Sequence, residues 1–311
     1  MKRIFVAGLV FLTIITTAAG IVFLTLFVSE RGHTRSLHRQ LEDLRRKLVL
    51  VETAGPMPEL ISPEKVSKRV FISHLDGVPD LIAVAPAVVF TGARKFTLVV
   101  YLHGMGGSFY EPFIFPKDKP LGPALLERDQ ALIMLSCSYR NKASWGNDAA
   151  LADISQNIRE ICQQFPVQEI VLMGTSMGGC TVLNYAATAP QDIQEKICGI
   201  VSVESSGDLK ALYRESKVLQ KAMEEAFGGT PEQVPAVYQA KSFITNVARL
   251  PKRVRISIVS AIRDDIIPSH FQRELVNVCR NNAITTNLIE INSRHQVQDA
   301  EVYSQALDQV R

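Results

Sequence analysis

Residues 64–311 read as an α/β domain, a mostly parallel eight-stranded sheet sandwiched between helices in three layers. Three observations point there. From Val70 onward, short apolar runs alternate with segments of helical apolar spacing. The later runs are continuously apolar, as in strands buried on both faces, and helical segments separate them. One run, Glu169 to Met173, gives way to Gly174-Thr175-Ser176-Met177-Gly178-Gly179, where a strand would turn into a helix.

What precedes this domain has a different character. Ile4 to Val28 is 25 residues without a charge, bounded by Lys2-Arg3 and Glu30-Arg31, and that length spans a bilayer with some tilt. Thr17-Ala18-Ala19 could pass for the cleavage site of a signal peptide. The apolar run continues past it through Ile21-Val22-Phe23-Leu24, which favours an uncleaved anchor over residues 1–29 and a single-pass membrane protein. Two orientation signals conflict. Two Lys/Arg precede the span and six follow it (Arg31, Arg35, Arg39, Arg45, Arg46, Lys47), a count that keeps the domain cytoplasmic, whereas a very short basic tail also suits an exporting signal anchor.

Residues 30–63 read as a stalk and linker. Leu37, Leu41, Leu44, Leu48 and Val51 form an a/d stripe on a helix that either rests on the domain or membrane or joins a second copy as a homodimer. Ala54-Gly55-Pro56-Met57-Pro58 and Pro63 end that helix at the domain boundary.

The net charge of +3 belongs to these segments. Residues 1–60 hold 8 Lys/Arg against 5 Asp/Glu, leaving the remainder balanced at 26 of each, so electrostatics gives no case for a nucleic-acid partner. Five widely spaced cysteines (Cys137, Cys162, Cys180, Cys198, Cys279) read as free thiols, mostly buried. With no CxxC and no His/Cys cluster, no metal or cofactor is called for.

The expected strands are Val70 to Leu75, Leu81 to Val89, Phe96 to Leu102, Ala131 to Ser136, Glu169 to Met173, Cys198 to Val203, Val254 to Ser260 and Asn287 to Ile291. The expected helices are Asp148 to Cys162, Met177 to Ala187, His270 to Cys279 and Asp299 to Val310.

The break at Gly174 is a nucleophile elbow. A serine at such a sharp turn takes a strained backbone and holds its hydroxyl up toward solvent, and side chains at Gly174 and Gly178 would strike the crossing strand and helix. The Met177 amide, at the helix N-terminus, is placed to stabilise an oxyanion. The third strand ends in His103-Gly104-Met105-Gly106-Gly107. Glycines there let the backbone approach a carbonyl, and an amide of this loop, that of Met105, would be the second oxyanion donor.

A serine nucleophile needs a base, and the base a carboxylate. Of six histidines, His33 and His38 lie in the stalk, His74 in the first strand, and His103 in the glycine loop, where it braces the backbone. His295 follows the last strand at the edge where the elbow opens and is preferred over His270, which reads as an exposed helix start. The acid falls after the strand Val254 to Ser260, at Asp264 or Asp265, with Glu204 a third candidate one strand earlier.

The order Ser176, Asp264, His295 together with the His103 to Gly107 loop resembles the α/β-hydrolase superfamily, and within it the prolyl-oligopeptidase-related esterases and peptidases, over residues 70–311. Phe227-Gly228-Gly229-Thr230-Pro231-Glu232 through Tyr238 and Ser242 is similar to what these enzymes carry before the acid-bearing strand. The resemblance of Asp264-Asp265-Ile266-Ile267-Pro268 to the family pattern selects Asp264. The propeller domain of full-length oligopeptidases is missing, and Ser242-Phe243 stands where relatives often have Ser-Pro.

The resemblance implies a serine hydrolase working through an acyl-enzyme on a small-molecule ester or peptide. Esters are the expectation, because little in the chain looks built to orient a peptide. A peptidase or acyltransferase would use the same machinery, and a membrane-tethered interaction protein that has kept the fold is the non-enzymatic alternative. Residues 206–252 form a candidate cap, with Leu209, Leu212, Tyr213, Val218, Leu219, Met223 and Phe227 suggesting one helix whose apolar side lines an acyl pocket or packs on the core. His103, Gly104, Tyr139 and Trp145 are candidate substrate-binding residues, Trp145 as a pocket wall or a loop anchor.

Overall fold

The structure, a computed structural model, describes residues 65–86 and 95–311. The expected membrane span, stalk and Pro-rich boundary lie outside the described residues, as does the C-terminal end of the second strand read from the sequence. Among the described residues no helix is long and apolar enough to cross a membrane.

The sheet has eight strands: β1 (Ser67–Ile72), β2 (Pro79–Ala85), β3 (Phe96–Leu102), β4 (Leu132–Cys137), β5 (Val167–Thr175), β6 (Ile197–Val203), β7 (Arg255–Ala261) and β8 (Thr286–Ile291). Their spatial order is β1-β2-β4-β3-β5-β6-β7-β8. The pairs β1/β2 and β2/β4 are antiparallel and every other pair is parallel. Each expected strand is present, with ends shifted by a few residues. His74, read as part of the first strand, lies in the turn after β1, because the chain reverses at Asp76-Gly77 to begin the hairpin.

Every residue of β3 and of β4 is buried, so both faces of the sheet centre are covered. The covering helices are α1 (Glu111–Ile114), α2 (Leu121–Arg128), α3 (Asp148–Gln164), α4 (Met177–Thr188), α5 (Gln191–Gln194), α6 (Leu209–Glu215), α7 (Lys217–Phe227), α8 (Pro235–Lys241), α9 (Phe243–Asn246), α10 (His270–Asn281) and α11 (Ala300–Asp308). Local chemistry explains several boundaries. The Asn147 side chain accepts from the Ala150 amide at 3.0 Å and caps α3, while α7 stops at left-handed Gly228.

The insert after β6 corrects the expectation of one helix. The chain leaves helical geometry at Ser216 and divides α6 from α7. Ser216 closes α6 with its amide on the Leu212 carbonyl, and its non-helical backbone (φ −96, ψ 89) separates α6 from α7. Leu209, Leu212, Leu219, Met223 and Phe227 are buried in the core, but Val218 is 66% exposed, on the far side of α7.

Candidate active site

Parallel strands β5, β6, β7 and β8 end along one edge of the sheet, and the loops after them gather the candidate residues. Ser176 sits between β5 and α4 with φ +56 and ψ −120, a backbone that L residues adopt only when the surroundings enforce it. The enforcement is visible: the Ser176 amide donates to the Val203 carbonyl at 2.8 Å. The turn is also pressed against β3, since a Cβ on Gly178 would lie 2.0 Å from the Leu102 carbonyl oxygen. Ser176 is only 5% exposed, so little of the residue is open to solvent.

His295, on the loop after β8, reaches that hydroxyl. Its Nε2 lies 2.8 Å from Ser176 Oγ and its Nδ1 lies 2.7 Å from Asp264 Oδ2. Asp264 turns back after β7, and its other oxygen accepts the amides of Ile266 and Ile267, each at 2.8 Å. Those two bonds fix the carboxylate so that one oxygen remains for the imidazole. The Nδ1–H tautomer follows, leaving the Nε2 lone pair toward the serine. Burial disfavours protonation of His295, but its hydrogen bond and attraction to Asp264, with the charges of Glu204 and Asp265, outweigh that and raise its pKa above 6.5.

The other candidates separate from this group. Asp265 points to solvent, 3.8 Å from Arg294 at an exposed ion pair. His270 opens α10 at the surface, where it faces Glu215 at 3.1 Å. Glu204 stands closer than either. Wholly buried, with φ +50 just after β6, it lies 3.5 Å from His295 Nδ1, farther than Asp264. Its oxygens accept the Gln296 amide at 2.9 Å and the Gln298 side-chain amide, so Glu204 holds the loop that carries His295. Desolvation pushes its pKa up to about 7. Glu204, Asp264 and His295 also have the donor types of a metal site, all within 4.8 Å. The hydrogen bonds above account for their clustering.

Opposite the histidine loop, the glycine loop after β3 lies against the elbow, with Gly104 packed on Ser176. Its amides are mostly engaged: Gly104 donates to Glu111 Oε1 at 3.1 Å, Gly106 to the Lys142 carbonyl at 2.8 Å, and Gly107 to the Gly104 carbonyl at 3.0 Å. No partner among the described residues takes the amide of Met105, or that of Met177 at the start of α4.

The proposed pocket walls are placed differently. His103, Tyr139 and Trp145 are no more than 2% exposed, too enclosed for their side chains to meet a substrate. Instead His103 Nδ1 reaches the Gly104 carbonyl at 2.8 Å, the Tyr139 hydroxyl donates to the His103 carbonyl, and the Trp145 amide contacts Met177 Sδ. They brace the loops from beneath. Of the four, Gly104 presents backbone beside Ser176.

Sequence reasoning missed Glu111. It is a buried carboxylate whose only sequence signal is being the sole charge in the run Phe109-Tyr110-Glu111-Pro112-Phe113-Ile114-Phe115.

Fold and elbow together define a class. The family described as the alpha/beta hydrolase fold matches residues 97–255, about half of the chain, and this chain belongs to that family. The match includes Ser176 and ends before Asp264 and His295, which the three-dimensional geometry supplies. No curated protein matches the chain significantly.

Among solved structures, the chain is similar to the acylaminoacyl peptidase of Pyrococcus horikoshii (TM-score 0.63, 13% identity, 79% of this chain and 42% of the peptidase). It is also similar to the fluorophosphonate-binding serine hydrolase F of Staphylococcus aureus (TM-score 0.60, 14% identity, 79% of this chain and 96% of that one). A third likeness is to an S-formylglutathione hydrolase of Staphylococcus aureus (TM-score 0.58, 12% identity, 78% and 95%). The chain thus spans less than half the length of the peptidase, and likeness at these identities is one of fold.

Proposed function

We propose that the protein is a serine hydrolase that cleaves carboxylic esters through an acyl-enzyme intermediate, held at a membrane by residues 4–28. The observation that carries the reading is the relay from Ser176 Oγ to His295 Nε2 and from His295 Nδ1 to Asp264, with hydrogen bonds of 2.8 and 2.7 Å. Ser176 attacks the ester carbonyl as His295 Nε2 takes its proton. Asp264 holds the imidazole in the required tautomer and balances the imidazolium. The amides of Met177 and Met105 receive the oxyanion, His295 returns the proton to the departing alkoxide, and a water deacylates Ser176 by the same relay.

Ester cleavage is favoured over amide cleavage because an alkoxide leaves with less help than an amine, and the elements in hand are a relay and two free amides. p-Nitrophenyl acetate and butyrate are therefore expected to be hydrolysed much faster than aminoacyl p-nitroanilides. Comparable rates on the anilides would transfer the assignment to a peptidase. Support for the anchor is the uncharged 25-residue run, and a spanning helix should stay with membranes through a carbonate wash. Release into the supernatant would remove that part of the proposal.

A further inference from the structure

We infer that Glu111 is a positioning residue for the oxyanion loop: its carboxylate, buried under the His103 to Gly107 turn, sets the direction of the Met105 amide. The assignment rests on Ser176 being the nucleophile.

The loop can present its Met105 N–H only if the peptides around it are fixed. Glu111 Oε1 accepts the Gly104 amide at 3.1 Å, which fixes the peptide before Gly104. The next peptide, between Gly104 and Met105, is held by its carbonyl, which accepts the Gly107 amide at 3.0 Å and contacts His103 Nδ1 at 2.8 Å. In a trans peptide the N–H points opposite to the C=O, so pinning the Gly104 carbonyl inward turns the Met105 amide outward. Glu111 sits at the centre of this ring. A Cβ on Gly107 would come within 2.1 Å of Glu111 Oε2, so glycine is what lets the loop close over the carboxylate.

The same oxygen continues into a buried chain. Tyr101 donates its hydroxyl to Glu111 Oε1 at 2.8 Å and lies 3.2 Å from Thr175 Oγ1, which also bonds the hydroxyl of Tyr303 on α11. Thr175 is the residue before the nucleophile. One run of hydrogen bonds therefore ties the loop bearing the Met105 amide to the elbow bearing the Met177 amide, keeping the two donors in mutual register. Burying a carboxylate here is costly, and desolvation pushes its pKa up to about 7. A purely structural contact at this place could be made by an apolar side chain. The position of an acceptor is what this carboxylate supplies.

Two variants separate position from charge. Glu111→Asp keeps the charge but withdraws the acceptor by one methylene, and Glu111→Gln removes the charge but leaves an oxygen where Oε1 stands. With a p-nitrophenyl ester, Glu111→Asp should lower kcat by about tenfold to a hundredfold with KM within about twofold. Its affinity for a trifluoromethyl ketone, which becomes a tetrahedral oxyanion on a serine, should fall in parallel. Glu111→Gln should restore most of both, and circular dichroism and thermal melts confirm that each variant is folded. An active wild type with Glu111→Asp unimpaired, with Glu111→Gln the more damaged of the two, or with a kcat loss but unchanged ketone affinity would overturn the assignment. A wild type that neither turns over the ester nor binds the ketone would overturn the hydrolase reading beneath it.

Discussion

The two sides of Ser176 are each supported by a buried glutamate, and the two are used differently. Glu111 underlies the glycine loop and Glu204 underlies the histidine loop, and burial drives both to about 7. Glu111 concentrates its bonds on one oxygen, accepting a tyrosine hydroxyl and a backbone amide, and works on neutral partners. Glu204 spends both oxygens on the loop carrying His295 and stands 3.5 Å from a nitrogen that, in the proposed mechanism, shares positive charge once the imidazole takes the serine proton. A carboxylate on the oxyanion side is needed for where its oxygen lies. In the proposed mechanism, one on the histidine side also acts through its charge, because charge develops there as His295 takes the proton.

The comparison breaks most decisively at the acid. If Asp264, with its short bond to Nδ1 and its two backbone donors, is the orienting carboxylate, Asp264→Asn should reduce kcat by about ten-thousandfold, since the amide favours the wrong imidazole tautomer. Asp265→Asn, at the solvated neighbour, should stay within about twofold. A mild effect at Asp264 combined with a severe one in Glu204→Gln would reverse the roles of the two carboxylates around His295.

A smaller effect sharpens the contrast between the glutamates. Glu204→Gln preserves shape, because Gln298 can turn its amide to meet the new side chain, but removes one of the negative charges facing His295 while leaving those of Asp264 and Asp265. Negative charge stabilises the imidazolium, so its loss should lower the pKa that must be passed for His295 to be a free base. In the wild type, kcat/KM should decline as pH falls through a value above 6.5. In Glu204→Gln that acid limb should move to lower pH, with roughly a tenfold loss at the plateau. An unmoved limb would show that Glu204 acts on the loop alone, as Glu111 does on its own side.

Much of this architecture could be read in the sequence because its causes are local. Strands buried on both faces must be continuously apolar, so the strands of the sheet centre declared themselves. Phe96–Leu102 was readable to the residue. The elbow needs small residues wherever backbones cross, and Gly178 against the Leu102 carbonyl shows why no other residue fits. What could not be read depends on tertiary surroundings. Residue chemistry alone could not separate the neighbouring Asp264 and Asp265; the family resemblance selected Asp264, and the fold points it at His295 and Asp265 at solvent. Tyr139 and Trp145 lie at the right edge of the sheet, but the loop folds them inward. Glu111 looks like an ordinary surface acid until the loop closes over it, and Glu204, readable only as a third candidate acid, instead holds the loop that carries His295. Val218 fits a helical apolar stripe only if Ser216 does not break the helix.

The central claim is that Ser176 is a nucleophile activated by His295, and labelling with a fluorophosphonate followed by peptide mapping tests it most directly. The wild-type protein should carry one adduct, on the peptide containing Ser176, formed quickly at pH 8 and abolished in Ser176→Ala. In His295→Gln, labelling should slow by at least a thousandfold while the thermal melt is retained. An adduct on a different residue, or labelling that persists undiminished in either variant, would contradict the account.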